Sequence, residues 1–116
     1  MAIQVYGISN CSTVKKARTW LEENHLDYVF HDYKKEPARL EKLEAWEKEI
    51  PWESLVNKRG TTWRKLTSEE QASVIDATSA NQVLLNNNSI IKRPLIESPK
   101  GILLGFDEVE YQAKLK

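Results

Sequence analysis

The chain has 116 residues, 17 basic and 17 acidic side chains and a single cysteine. The balanced charge argues against a nucleic-acid partner, because nucleic-acid surfaces normally carry an excess of basic residues. No apolar run reaches the length of about 18 residues that a membrane helix needs, so we expect no membrane association. The N-terminal residues lack the pattern of a secretion signal, and a lone cysteine suits a reducing compartment, which predicts a cytoplasmic protein.

The first third of the chain predicts a strand, a helix and a second strand. Residues 2–8 are largely apolar and end at turn-forming residues, as in a β-strand. Ser12–Glu23 carries apolar residues at helical spacing, and Asn24 is a suitable stop. Residues 27–33 alternate and are rich in strand formers. This order predicts a parallel βαβ unit with a right-handed crossover.

The middle of the chain predicts a block of helices. A helix is predicted to begin at Glu36-Pro37 and to end at Ile50-Pro51. The segments that follow predict a short helix over 53–56, a polar turn over 57–62, and helices over 68–77 and 80–86.

The last third predicts a hairpin and a closing helix. The elements are a strand over 90–97 that Arg93-Pro94 interrupts, a turn at 98–101, a return strand over 101–106 and a helix over 107–115. A parallel half joined to an antiparallel half is the plan of the α/β thioredoxin-like, or glutaredoxin-like, mixed sheet. We therefore predict a single domain over residues 1–116 with a helical insertion at about 37–88.

Cys11 lies between the first strand and the first helix. A side chain there faces free backbone N–H groups and the positive end of the helix dipole. That position lowers the pKa of a thiol and favours the nucleophilic thiolate. The alternative is a buried, inert cysteine. Because no second cysteine is present, a redox cycle on Cys11 needs a thiol from outside the chain.

Four segments carry a resemblance to a known family. They are Tyr6–Ala17 (YGISNCSTVKKA), His31–Tyr33 (HDY), Asn57–Leu66 (NKRGTTWRKL) and Ile90–Leu95 (IIKRPL). With these segments the chain resembles the arsenate reductase (ArsC)/Spx branch of the thioredoxin superfamily, and within it the YffB-type members. The run from Arg59 to Leu66 is the most specific of the four.

The resemblance implies a glutathione-dependent monothiol reductase. In it, the Cys11 thiolate attacks an oxyanion or a disulfide, and glutathione, as co-substrate, completes the cycle together with glutaredoxin. Arg93, before Pro94, is implied to hold an anion and to acidify the thiol. Arg59 corresponds to the middle-loop arginine of YffB-type and Spx-type members, whereas in arsenate reductases that arginine comes slightly earlier, where this chain has Asn57. The third arginine of arsenate reductases falls near Phe106, and residues 101–116 contain no arginine. This difference argues against arsenate itself as substrate.

Four residues around Cys11 complete the candidate site. Asn10 shapes the loop before the helix, Ser12 and Thr13 are placed to donate hydrogen bonds to a thiolate, and Lys15 lies about one helical turn further on. For Arg59 and Lys15, the alternative interpretation is that they are solvated surface residues. The two histidines and one cysteine form no closed ligand set, so we expect no metal.

Two other functions stay open at this stage. Spx-type proteins, which this chain also resembles, act as regulatory modules that contact RNA polymerase. Their Cys-x-x-Cys switch is absent, because Cys11-Ser12-Thr13-Val14 holds one cysteine, but a partner role without redox control is compatible with the sequence. A redox fold that has lost catalysis is the third alternative. We expect a monomer in each case.

Overall fold

The computed structural model describes residues 2–116, in which four strands and seven α-helices follow one another. Their bounds are β1 (Ile3–Gly7), α1 (Ser12–Glu23), β2 (Tyr28–Asp32), α2 (Leu40–Glu47), α3 (Trp52–Leu55), α4 (Thr61–Arg64), α5 (Ser68–Ala72), α6 (Ala77–Asn86), β3 (Leu95–Ser98), β4 (Gly101–Leu104) and α7 (Glu108–Leu115), with a 3₁₀ turn at Asn88–Ile90 before β3. Within the described residues, no helix has both the length and the apolar character that crossing a membrane demands.

The four strands form one mixed sheet in the order β2-β1-β3-β4. β1 and β2 are parallel, with Val5 opposite Phe30, whereas β1 and β3 are antiparallel, with Val5 opposite Ile96. β3 and β4 form an antiparallel hairpin. The predicted parallel βαβ unit and the predicted hairpin are therefore both present, and the antiparallel pairing of β1 with β3 joins them into one sheet.

A continuous apolar core supports this sheet. Alternate residues of β1 meet the apolar stripe of α1, which recurs at helical spacing, and residues of β3, β4 and α7 complete the cluster: Ile3, Val5, Ala17, Trp20, Leu21, Ile96, Leu103 and Tyr111. The rings of Trp20 and Phe106 pack edge-on against Tyr111 at centroid distances of 5.4 and 5.2 Å. Burial of each large apolar side chain contributes about 1.5–3 kcal/mol.

Two compact units make up the chain. The cysteine-bearing unit comprises the residues up to Glu36 together with Arg93–Lys116, and the inserted unit comprises Pro37–Lys92. That the whole chain folds as one domain stays a prediction.

The inserted unit has its own buried side chains and hydrogen bonds. Leu43 and Trp46 of α2 are buried, as is Leu84 of α6, and α2 contacts α6. A backbone hydrogen bond connects the end of the inserted unit to its middle: the Lys92 N–H donates to the Leu55 carbonyl at 2.7 Å.

The predicted start of the second helix is wrong. α2 begins at Leu40 rather than at Glu36-Pro37 and ends at Glu47. Arg39 before it is extended, and the Ala38 N–H donates to the side chain of Asn88 at 2.8 Å. A tertiary hydrogen bond therefore holds residues that local sequence would allow to be helical.

The predicted helices over 68–77 and 80–86 also have other bounds. α5 ends at Ala72, and α6 begins at Ala77. Asp76 caps α6 through a capping box with Ser79, in which the Ser79 N–H donates to the Asp76 carboxylate at 2.8 Å. Because Asp76 is extended as a cap, no helix can run through it to residue 77, and the next helix starts earlier than predicted.

Three further segments differ from the prediction. The predicted polar turn over 57–62 is shorter, because Thr61 already belongs to α4. The predicted strand over 90–97 begins only at Leu95, since Pro94 has no N–H for the ladder. The predicted return strand over 101–106 ends at Leu104, where Gly105 adopts the left-handed conformation with φ 75°.

Candidate thiol site

Cys11 is the N-cap residue of α1. Its backbone is extended, with φ −91° and ψ 127°, and its N–H donates to the Ile8 carbonyl at 3.3 Å, which closes the turn after β1. Its carbonyl accepts the first helical hydrogen bond, from the Lys15 N–H at 3.0 Å. The cysteine is free and half-buried. A side chain at an N-cap faces the N–H groups of the first helical turn.

The surroundings lower the pKa of the Cys11 thiol below its ordinary value. Burial alone would raise that pKa, but the N–H of Val14, the guanidinium of Arg93 and the N–H of Thr13 together outweigh it, and the positive charge of Arg93 adds to their effect. No capping hydrogen bond of ordinary geometry joins the thiol to the helix, so we attribute the N–H contribution mainly to electrostatic attraction for the thiolate. The arrangement favours the nucleophilic form of Cys11.

Gly7 allows the parts of this site to meet. A Cβ atom at Gly7 would lie 2.8 Å from Cγ2 of Val14 and 3.8 Å from Cβ of Arg93. The first distance is far shorter than a van der Waals contact, so only glycine lets the first turn of α1 approach the end of β1 this closely. Both Val14 and Arg93 contribute to the pKa of Cys11.

The Arg93-Pro94 peptide bond is cis, which is the geometry that the thioredoxin-like plan suggests for this loop. The loop is held on its other side by β4, because the Gly105 N–H donates to the Pro94 carbonyl at 2.9 Å. Arg93 is thus fixed between the end of β1 and the end of β4, with its side chain acting on the Cys11 thiol.

The other predicted residues near Cys11 have different surroundings. Asn10 is exposed in the turn before α1, and Ser12 is exposed at its first position. Thr13 acts on the thiol through its main-chain N–H. The Lys15 side chain is exposed and lines a shallow groove with Phe106, and it is not among the groups that shift the pKa of Cys11.

Arg59 belongs to the inserted unit. It is exposed in a turn whose shape comes from Asn57, since the Arg59 N–H donates to Oδ1 of that side chain at 3.2 Å. Gly60 follows, and a Cβ atom there would lie 3.1 Å from Nδ2 of Asn57. The turn is therefore well defined, and the role of Arg59 in the site stays a prediction.

One contributor to this site, and one backbone contact next to Gly7, were not found from the sequence. The Val14 N–H could have been inferred, because a helix always leaves the N–H groups of its first turn without intrahelical partners. The contact in which the Tyr33 N–H donates to the Gly7 carbonyl at 2.8 Å could not have been found, because it depends on the parallel pairing of β1 with β2.

The histidines show no sign of metal binding. Within residues 2–116 there is no group of three or more His, Cys, Asp or Glu side chains that could hold a metal ion. His31 stacks on the ring of Tyr6 at 4.4 Å and pairs through its two nitrogens with Gln4 at 2.6 Å and Glu36 at 3.0 Å.

The fold and the position of the cysteine define a class of protein before any comparison is made. A mixed β2-β1-β3-β4 sheet, with a thiol at the start of the helix after β1 and a cis-proline loop, is a thioredoxin-like α/β fold with a single thiol.

Comparison with known proteins then gives the family. Residues 6–114 match the ArsC family, and the chain belongs to it. A solved structure of the YffB (PA3664) protein is 41% identical, superimposes with a TM-score of 0.93, and is aligned over 99% of this chain and 100% of that one.

Two further relatives extend the comparison. An arsenate reductase-related protein from Brucella melitensis is 45% identical with a TM-score of 0.77, over 100% of this chain and 96% of the other. The global transcriptional regulator Spx of Streptococcus pyogenes serotype M3 is 28% identical over 91% of this chain and 79% of its own length. The predicted resemblance and the predicted fold class are therefore confirmed, and the family includes both reductase-related proteins and regulators.

Proposed function

We propose that this chain is a glutathione-dependent monothiol reductase of arsenate-reductase type, in which Cys11 is the catalytic nucleophile. The observation that supports this most directly is the lowered pKa of Cys11 at the start of α1, beside Arg93. Arg93, Pro94, Asn10, Ser12, Thr13, Lys15 and Arg59 are proposed to bind the substrate or glutathione.

One protein thiol is sufficient for the reduction of a glutathione mixed disulfide. The Cys11 thiolate attacks the glutathione sulfur of the disulfide, a Cys11–glutathione bond forms, and the substrate leaves as a thiolate that takes up a proton. A second glutathione thiolate then attacks the glutathione sulfur of this adduct, so that oxidised glutathione forms and the Cys11 thiolate is regenerated. The net reaction converts the substrate mixed disulfide and one free glutathione into the substrate thiol and oxidised glutathione, so the protein needs no second cysteine.

Arsenate is the less favoured substrate. A tetrahedral oxyanion is best held by several fixed guanidinium groups, and residues 101–116 of this chain contain no arginine. Phe106 lies where arsenate reductases are implied to carry the third arginine. We therefore propose a disulfide, rather than arsenate, as the preferred substrate, with glutaredoxin as a protein partner and a monomer in the reducing cytoplasm as the working form.

The first experiment measures the thiol itself. The rate of Cys11 alkylation by iodoacetamide is followed against pH, and the intact mass is measured after exposure to oxidised glutathione. We expect the pH midpoint of Cys11 alkylation to lie below the pKa of about 8.5 of an ordinary thiol. We also expect the mass of one glutathione to be added per chain. The Cys11→Ser variant is the control and should gain no mass.

The same samples test the substrate. With arsenate, glutathione and glutaredoxin, we expect no turnover above that of the Cys11→Ser variant. Rapid arsenate reduction would show that two arginines suffice and that the disulfide preference is wrong. If the pH midpoint of Cys11 alkylation is that of an ordinary thiol and no glutathione adduct forms, the reductase hypothesis is contradicted. That result would favour a redox fold that has lost catalysis.

A regulatory module is the second candidate, because the Spx relative is a transcriptional regulator. Tagged wild-type chain and the Cys11→Ser variant are each used to capture partners from lysate, and the captured proteins are probed for RNA polymerase and glutaredoxin. The reductase predicts capture of glutaredoxin only with Cys11 present. Equal capture of RNA polymerase by both forms would favour the module.

A further inference from the structure

A shallow groove lies between α1 and the start of α7, within the cysteine-bearing unit. Its volume is about 490 Å³, and its lining includes Lys15, Lys16, Trp20, Glu23, Phe106 and Glu108. We call it the α1/α7 groove. Sites for small molecules usually enclose most of their ligand. A shallow groove between two helices is better suited to a segment of a polypeptide chain.

The α1/α7 groove adjoins the thiol site on both of its sides. On the α1 side, the Lys15 N–H donates to the Cys11 carbonyl at 3.0 Å, and residues four apart lie on the same face of a helix. On the α7 side, Phe106 follows Gly105, whose N–H donates to the Pro94 carbonyl at 2.9 Å. The helix turn and the cis-proline loop that flank the thiol therefore also bound the near end of the groove.

The length of the groove exceeds the reach of glutathione. Glu23 lies about 18 Å from Cys11 along α1, because an α-helix rises 1.5 Å per residue. A tripeptide spans about 11 Å at full extension, and the sulfur of glutathione is on its middle residue. Glutathione joined to Cys11 therefore ends well before Glu23, whereas an extended chain of about five residues spans the whole distance.

Apolar side chains line the groove and its surroundings. Phe106 is half-buried, and Trp20 also lines a neighbouring groove that contains Val109. Val109 is 80% exposed. An apolar surface with a polar rim is typical of a site that binds another protein, and aromatic side chains are enriched in such sites.

The charges on the rim have both signs and follow an order along α1. Lys15 and Lys16 lie near Cys11, and Glu23 lies near the far end of the helix. Within residues 2–116, no ion pair joins Lys16 to Glu23 or to Glu108. Lys16 and Glu23 are about 10 Å apart along the helix axis, which is the length of about three extended residues.

We propose that the α1/α7 groove binds the protein part of a glutathione mixed disulfide, as an extended segment beside the substrate's cysteine. The order of charges on α1 favours an acidic residue near that cysteine and a basic residue about three positions further on. This inference rests on the proposed function and names its substrate class, which is glutathionylated protein rather than a small mixed disulfide.

The test compares three substrates of the same reaction. The first is the mixed disulfide of glutathione with mercaptoethanol, which has no peptide part. The second is a glutathionylated peptide with the favoured order of charges on both sides of its cysteine, so that either chain direction can be used. The third has the same composition with the acidic and basic residues exchanged. Formation of oxidised glutathione is followed at fixed glutathione concentration, and the rate with Cys11→Ser is subtracted.

The variants reverse the charges of the groove and leave the thiol site unchanged. They are Lys16→Glu, Glu23→Lys and the double variant, all at exposed positions of α1. Lys48→Glu is the matched control, because it makes the same change at an exposed lysine of the inserted unit.

We expect wild type to have a kcat/KM for the favoured peptide about two- to fivefold above that for the exchanged peptide, as is typical of exposed ion pairs. The favoured peptide should also be reduced faster than the small disulfide. Each single variant should reduce the preference, and the double variant should prefer the exchanged peptide. All variants should reduce the small disulfide at the wild-type rate, and Lys48→Glu should behave as wild type with every substrate.

Three results would overturn the inference while the proposed function stands. The first is equal kcat/KM of wild type for all three substrates. The second is a double variant that keeps the wild-type preference. The third is an equal loss on the small disulfide and on the peptides in the Lys16 and Glu23 variants, which would show that these charges act on glutathione or on the thiol. If wild type reduces none of the mixed disulfides, the proposed function itself fails, and the inference fails with it.

Discussion

The helix that carries the candidate site and the helices of the inserted unit begin in different ways. α5 and α6 start with capping boxes, in which the side chains of Thr67 and Asp76 accept backbone N–H groups. α1 starts with Cys11, and no side-chain hydrogen bond caps it. Cysteine is not among the residues that cap helices well. The comparison shows that the inserted unit uses its helix starts for stability, whereas α1 keeps its N–H groups available to a thiolate.

The two units also differ in how their chain segments are connected. The cysteine-bearing unit depends on a sheet that joins β1 near the N-terminus to β3 near the C-terminus. The inserted unit depends on short helices and on local caps. Because all groups that lower the pKa of Cys11 lie in the cysteine-bearing unit, changes in the inserted unit should alter stability without altering the thiol.

The largest expected effect tests that separation. Leu43→Ala removes a fully buried side chain from the inserted unit and should lower the free energy of unfolding by about 2–5 kcal/mol. Chemical denaturation measures this loss, and Leu21→Ala, equally buried in α1, is the matched control. The pH midpoint of Cys11 alkylation should be unchanged in folded Leu43→Ala. A shifted midpoint would show that the inserted unit contributes to the thiol.

Gly7→Ala should have the second largest effect on the free energy of unfolding. Its Cβ atom would lie 2.8 Å from Cγ2 of Val14, so α1 must move or repack, at a cost of about 1–3 kcal/mol. Combining it with Val14→Ala removes the clashing methyl group, and the loss in the double variant should be smaller than the sum of the two single losses. Strict additivity in denaturation experiments would mean that this contact does not set the position of α1.

Arg93→Ala should slow alkylation of Cys11 at pH 7 by about three- to tenfold, because loss of a neighbouring cation raises the pKa of a thiol. Arg93→Lys should retain part of the rate, since the charge remains but the guanidinium fork is lost. Arg59→Ala is the comparison variant from the inserted unit, and in the absence of substrate it should react like wild type. A similar loss in Arg59→Ala would place that guanidinium beside the thiol.

The smallest expected effect concerns Glu47 of the inserted unit. Burial raises the pKa of its carboxyl, the hydrogen bond from Asn81 at 3.1 Å opposes this, and the charge of Glu44 adds to the rise. Oε2 of Glu47 and Oδ1 of Asn81 are buried without partners among the described residues. A raised folded-state pKa means that this group favours folding most below its unfolded pKa and loses that contribution as pH rises through the folded pKa.

Glu47→Gln should therefore stabilise the chain by less than about 1 kcal/mol at pH 7, because solvent screens the charge of a partly exposed carboxylate. The gain arises because a neutral amide has no charge to desolvate and can donate to Asn81. The gain should vanish at acidic pH, where the wild-type carboxyl is protonated. Thermal unfolding at pH 4 and pH 7 measures this difference, and Glu44→Gln, which is exposed, should give a smaller change of the same sign. A pH-independent gain would contradict the titration of Glu47.

Much of the cysteine-bearing unit could be predicted because its elements have strong local patterns. The apolar run of β1, the alternation of β2 and the apolar stripe of α1 were enough to place the βαβ unit. The inserted unit was predicted as helical, but its boundaries were not, because short helices depend on caps and tertiary hydrogen bonds. The Ala38 N–H, for example, is held by Asn88, fifty positions further along the chain.

The sequence by itself determined the family, the order of the elements and the position of Cys11 before a helix, since these depend on periodicity and on contiguous motifs. The resemblance named Arg93 as a group that acidifies the thiol, but only the tertiary structure brings its guanidinium to Cys11. Arg93 reaches Cys11 because β3 pairs with β1, and Tyr33 adjoins Gly7 because β2 lies parallel to β1 on its other side. These contacts join residues far apart in the chain, and no local pattern encodes the strand order that brings them together.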